Sequence, residues 1–205
     1  MARVDDYVSA KKIAVESLSA ETINEISQRS GFKITDGDML RVPFLNRVFF
    51  VSFPDFEFQD AAKKSREVPL QEQVLTLHYM MGKHAPVSDD KWISYREIPG
   101  ASFYFGAFVK RATDPLKKVF GQNIPGLLKS AEQLNGKAID AGDAGFEFRL
   151  FPRISLQLIL WEGDEDFSPE ANILFQENVG EIISPEDAAW LAGTLVYRLI
   201  GISKF

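Results

Sequence analysis

Cysteine is absent from all 205 residues. That excludes disulfides, thiolate zinc sites, iron–sulfur clusters ligated by this chain, and cysteine nucleophiles. Histidine is nearly absent, with two residues, His78 and His84. No H-x-x-x-H or H-E-x-x-H spacing occurs, so no metal site built from helix residues is expected. The glycine-rich phosphate loops G-x-x-x-x-G-K-[ST] and G-x-G-x-x-G are missing, as is a G-x-S-x-G nucleophile elbow. S-x-x-K occurs at Ser9/Lys12 and Ser88/Lys91 without the companion motifs of serine acyl enzymes. Apolar runs fall far short of the ~20 residues that span a bilayer, so no membrane association is expected. The start "MARVDDYVSAKKIAVESL" has no apolar stretch of signal-peptide length, and no N-x-[ST] site occurs; a cytoplasmic protein is expected. The net charge of −6 and pI near 5.1 argue against nucleic-acid binding.

What is present is an ordinary globular balance, 45% hydrophobic and 25% charged. A chain of this length buries roughly 70% of its unfolded surface and needs no staple. Residues 4–18 read as a helix, and Ser19 as the N-cap of a second helix closed by Gly31. Asp36-Gly37 is a hairpin signal between short β-prone runs, and "RVFFVSF" reads as another strand. Leu70, Val74, Leu77 and Met81 form a helical stripe ended by Gly82. "WISYREI" reads as a strand. "DPLKKVFG" reads as a helix starting at Pro115, and "IPGLLKSAEQLNG" as another ending at Gly136. "KAID", "FEFRLF", "ISLQLILW" and "NILFQ" form a second β block. A final helix is capped by Ser184, entered by Pro185 and followed by Gly201. The expected fold is α+β: mixed, mainly antiparallel strands in two blocks with flanking helices. It is a single domain over 1–205, with room for two lobes divided at the polar loop near 59–68.

Three features invite a functional reading beside a structural one. Trp92, Tyr95, Phe103, Tyr104 and Phe105 surround Pro99-Gly100 and Gly106; rings at a glycine corner either pack the core or wall a pocket for a flat ligand. Lys110, Arg111, Lys117 and Lys118 gather around a helix start, as an anion site or a solvated face. Strand 154–161 is apolar enough to be central, and Trp161 at its end runs into Glu162, Asp164, Glu165 and Asp166. That turn is either the soluble end of a buried strand or a polar site, and Asp164, Asp166 and Glu170 could offer oxygen ligands to a hard cation. Each histidine reads as a structural or solvated side chain, or as a ligand or proton shuttle.

"VPLQEQVLTLHYMMG", "WISYREIPGASFYFGAFVKRATDPL" and "LILWEGDEDFSPEANILF" together resemble the family called domain of unknown function 3786, over roughly residues 68–200. The resemblance implies a setting in strict anaerobes, near corrinoid or one-carbon chemistry. Some members carry an additional four-cysteine iron–sulfur domain, which this cysteine-free chain cannot form. It brings no assigned catalytic residues. The leading expectation is therefore a non-catalytic module for a small molecule, first of all a corrinoid (cobalamin) or other tetrapyrrole. Trp92, Tyr95, Phe103, Tyr104, Phe105 and Trp161 would be its walls, and His78 or His84 an axial ligand. The alternatives are a protein-binding adaptor using the acidic turn and exposed aromatics, and an enzyme using Glu97, Glu162, Asp164 or Asp166 as acid or base. The enzyme reading requires one of those carboxylates to be buried with a raised pKa.

Overall fold

The computed structural model describes residues 4–85 and 91–204. The fold is α+β, with two antiparallel sheets whose strand orders are β1-β2-β3-β4 and β5-β9-β8-β7-β6. The chain divides into two compact units, residues 1–86 with 181–183, and residues 87–180 with 184–205. The polar stretch 59–68 lies inside the first unit.

In the first unit, α1 (Val4–Leu18) and α2 (Ile23–Ser30) precede a meander of β1 (Lys33–Thr35), β2 (Met39–Phe44), β3 (Arg47–Ser52) and β4 (Phe58–Asp60), and α3 (Leu70–Met81) follows. The cap of α2 is Thr22, not Ser19. Thr22 and Glu25 form the reciprocal capping box, a T-x-x-E spacing that Ser19 lacks. The Asp36-Gly37 turn joins β1 to β2 as expected, with Gly37 at φ 69°. Leu40, Val42, Phe44, Phe49 and Val51 point to one face of the sheet and are fully buried. Helices α1 and α2 pack on α3. The Tyr79 hydroxyl donates to the Ser30 carbonyl at 2.6 Å, and the Phe32 ring lies 5.3 Å from the Tyr79 ring. Gly82 ends α3 as expected, but for reasons of space. A Cβ there would stand 2.0 Å from the Ile182 carbonyl oxygen, while Lys83 N–H donates to Glu181.

The second unit is built on β5 (Trp92–Ser94), β6 (Lys137–Ile139), β7 (Ala144–Phe151), β8 (Ile154–Trp161) and β9 (Glu170–Gln176). Strand β8 is the central strand, and from Ile154 to Leu160 only Gln157 escapes full burial. The strand expected over "WISYREI" stops at Ser94. Ser94 and Glu97 close a capping box that turns Tyr95–Glu97 into a 3₁₀ turn.

The helix expected to start at Pro115 belongs to a longer run. Helix α4 (Phe105–Phe108) passes through a π turn (Val109–Thr113) into α5 (Asp114–Phe120). Pro115 has no N–H to give the preceding turn, and the π turn accommodates it by widening so that Asp114 N–H reaches Val109. Gly193, on a later helix, is the residue against that turn; a Cβ there would lie 3.2 Å from the Arg111 carbonyl oxygen.

Helix α6 (Ile124–Gln133), the single turn α7 (Val179–Ile182) and α8 (Pro185–Ser203) complete the order. Ser184 caps α8 by accepting from Asp187 N–H. That helix continues through Gly201, whose missing side chain meets open space and whose backbone is an ordinary helical one. No helix among the described residues is long and apolar enough to cross a membrane.

Candidate functional site

The aromatic segment 92–108 folds mostly onto itself. Tyr95 is 2% exposed and stacks on Phe108, with ring centroids 4.2 Å apart and planes within 4°. Phe105 stands 6.4 Å from Tyr95, and Phe175 of β9 contacts both Tyr95 and Phe108. The Tyr95 hydroxyl donates to the Pro185 carbonyl at 2.7 Å. Burial foremost, then the neighbouring Tyr104, pushes its pKa up to about 12. The Arg96 guanidinium covers the Phe105 ring at 3.8 Å. Tyr95, Phe105, Phe108 and Phe175 thus pack against one another.

The other expected wall residues scatter. Phe103 is 87% exposed and meets Tyr104 edge-on. Trp92 is half-buried on an edge strand, paired with Gln176, whereas Trp161 pairs with Glu170 at the opposite end of β9. Six residues along a strand separate those two levels by about 20 Å. His78 is half-buried on α3 and His84 is exposed, both in the first unit, whereas the aromatic segment belongs to the second.

The acidic turn is ordered by its own backbone. The Asp164 carboxylate accepts from Asp166 N–H and Phe167 N–H, and Asp164 N–H donates to Phe167. Glu162 N–H donates to Asp143. Glu97, Glu162, Asp164 and Asp166 are all exposed. The Glu97 carboxyl sits below its usual range because Ser94 N–H and the Ser94 hydroxyl bond it, the reverse of what an acid catalyst needs. Among the described residues no cluster of metal-ligating side chains is present. In the basic run, Arg111 lies over the Trp190 ring at 5.4 Å and Lys117 lies 4.0 Å from Asp114. Ser88 lies outside the described residues.

A site that the motifs did not indicate lies on the other face of the four-stranded sheet. The alternation that turns Leu40, Val42, Phe49 and Val51 inward turns Met39, Arg41 and Phe50 outward. The register sets Arg41 opposite Phe50 and Phe50 opposite Gln59, so the three form one row across β2, β3 and β4. With Thr35, Asp36, Met39, Asp60, Ala61 and Lys64 they line an open groove of about 330 Å³. Six phenylalanines occur between residues 44 and 58. Phe44, Phe49, Phe53, Phe56 and Phe58 each contact another ring. Among the described residues no ring covers Phe50, and neither Arg41 nor Lys64 is paired with a carboxylate.

The wall that carries Lys64 is anchored by Asp60, which is 2% exposed. One carboxylate oxygen accepts from Arg47 Nη2 at 2.6 Å and Nε at 3.2 Å. The other accepts from Ala62 N–H and Lys63 N–H and so bends the chain that presents Lys64. Arg47 also reaches Glu72 of α3 at 2.8 Å and lies over the Phe49 ring. The Arg47 hydrogen bonds, foremost, hold the Asp60 carboxyl below its usual range. Asp60 is thus a saturated structural carboxylate.

The signal for this groove was in the sequence. With Asp36-Gly37 fixing the hairpin, the alternation in "MLRVPF" and "RVFFVS" puts Arg41 and Phe50 on the exposed side. Only the pairing register makes them neighbours.

No curated protein and no solved structure matches the chain. The family model of a domain of unknown function, DUF3786, matches residues 22–198, which include both sheets and the groove, and the chain belongs to that family.

Proposed function

We propose that the protein is a non-catalytic binding module whose seat is the groove on the outer face of the four-stranded sheet. Its ligand is a small anion with a flat apolar part. The observation that carries this reading is a half-buried aromatic ring with no other ring on it, Phe50, opposite an exposed, unpaired cation, Arg41, with a second cation, Lys64, in the groove lining. A ring with no other ring stacked on it and an unpaired guanidinium beside it together suit an aromatic anion. Against a net charge of −6, Arg41 and Lys64 supply local positive charge to a lining that also holds Asp36 and the Arg47-paired Asp60.

The corrinoid suggested by the family resemblance is the rival ligand. Nothing in the packing of 92–108 favours it, since those rings face one another, and neither histidine lines the groove. The test is a fluorescence titration with 1-anilinonaphthalene-8-sulfonate, which carries a flat apolar body and one sulfonate, followed by cobalamin and haemin titrations read in the visible spectrum. Saturable dye binding weakened by Arg41→Ala and Phe50→Leu is expected. Dye binding indifferent to both changes, with a saturable tetrapyrrole band shift, would replace this reading by the corrinoid one.

A further inference from the structure

Helix α8 presents two sides of different character. Ala188, Leu191, Leu195 and Leu199 are fully buried, and the helix packs on α4, α5, α6 and the π turn. The opposite side carries Asp187, Trp190, Thr194, Tyr197, Gly201 and Lys204, at steps of three, four, three, four and three. Alternating steps of three and four make one stripe along a helix, the spacing of a two-stranded coiled-coil seam. Asp187, Trp190 and Thr194 are half-buried, Tyr197 is 58% exposed, and Gly201 and Lys204 are exposed. Tryptophan and tyrosine are the side chains that the buried centre of a protein interface favours.

Gly201 is a separate observation. It sits inside the helix with ordinary helical backbone, where glycine is the poorest residue after proline. Gly193 on the same helix has a reason to lack a side chain, the Arg111 carbonyl oxygen 3.2 Å from where its Cβ would stand. Beside Gly201 there is open space. Its bare backbone is useful to something that approaches from outside the chain.

The spacing of the stripe reads the same from either end, while its chemistry is complementary end to end. A ring, Trp190, answers a gap, Gly201. An acid in the first turn, Asp187, answers a cation at the C-cap, Lys204. The Ser184 hydroxyl fixes the Asp187 carboxylate at 2.7 Å, and the Arg111 guanidinium lies over the Trp190 ring. A two-fold axis crossing the helix between Leu195 and Val196 lays Trp190 on the partner's Gly201, Tyr197 on the partner's Thr194, and Lys204 beside the partner's Asp187. A parallel pair would oppose Trp190 to Trp190 and set like charges together at both ends.

We infer that the exposed stripe of α8 is the contact of an antiparallel, two-fold dimer of this chain. The contact is independent of the groove, which lies in the first unit while α8 lies in the second. A single helix face about 28 Å long is smaller than a standard interface of about 1,600 Å², so a Kd on the order of tens of micromolar is expected. The test is sedimentation equilibrium of the full chain from micromolar to millimolar concentration. Gly201→Leu should weaken association at least about tenfold. Its thermal unfolding midpoint in dilute solution should hold or rise, because leucine is the better helix former and meets open space in the monomer. Tyr197→Glu should weaken association at least about tenfold as well. Because the chain has no cysteine, Glu186→Cys accepts a single spin label. The antiparallel register sets the two labelled positions of a dimer about 30 Å apart, and a parallel one about 10 Å. A chain that stays monomeric to millimolar concentration overturns the proposal, as does association indifferent to both substitutions. Labels about 10 Å apart overturn the antiparallel register.

Discussion

Both sheets set most of their phenylalanines against other rings, and Phe50 on the four-stranded sheet departs from that pattern. In the five-stranded sheet and its helices, Tyr95 and Phe108 stack while Phe105 and Phe175 meet them tilted, and the polar end of Tyr95 is satisfied by Pro185. In the four-stranded sheet, Phe44 and Phe49 pack inward while Phe50, one residue on, is half-buried on the outer face between Arg41 and Gln59. Aromatic density in a sequence therefore marks where burial energy is concentrated.

Substitutions can break this contrast, beginning with the largest effect. Phe108→Ala removes the ring stacked on Tyr95 and should cost about 3–5 kcal/mol in urea unfolding. Phe50→Leu should cost less than about 1 kcal/mol, because it takes no packed partner away. Comparable losses for the two would show that Phe50 is also core.

Asp60→Ala leaves Arg47 without its main partner and unties the segment bearing Lys64. A loss of about 3 kcal/mol or more is expected. The sign with pH follows from the lowered carboxyl pKa: Asp60's contribution is complete above the ordinary carboxylate range and disappears as pH falls through its depressed value. Wild-type and variant unfolding midpoints should thus converge in acid. A gap that persisted to the lowest pH at which both fold would assign the loss to packing.

Tyr95→Phe keeps the stack and removes only the bond to Pro185, at a cost of about 1 kcal/mol. Because burial raises the Tyr95 pKa to about 12, the wild type should lose stability as pH rises from the ordinary tyrosine value toward 12, and the variant should lose less. Parallel alkaline profiles would contradict this. The smallest effect is expected of Arg41→Ala, under about 0.5 kcal/mol on stability, as for an exposed side chain with no partner.

Much of the fold was legible in the chain, and particular residues show why the rest was not. β8 reads as central because almost every residue in "ISLQLILW" is apolar, and it is central. The hairpin at Asp36-Gly37 and the cap at Ser184 carry local chemistry that has few other uses. Ser94–Glu97 reads as part of the strand "WISYREI", yet it holds a capping box that ends the strand at Ser94. The expected wall residues failed to converge because linear proximity does not fix direction: Tyr95 points into the core while Phe103, eight positions on, points out. Arg41 and Phe50 are nine residues apart, and only strand register makes them neighbours.

The most direct measurement is amide NMR of the uniformly ¹⁵N-labelled chain with and without 1-anilinonaphthalene-8-sulfonate. The account predicts shifts clustered at Thr35, Met39, Arg41, Phe50, Gln59 and Lys64, with 92–108 unmoved. Shifts clustered on 92–108, with the groove silent, would contradict it.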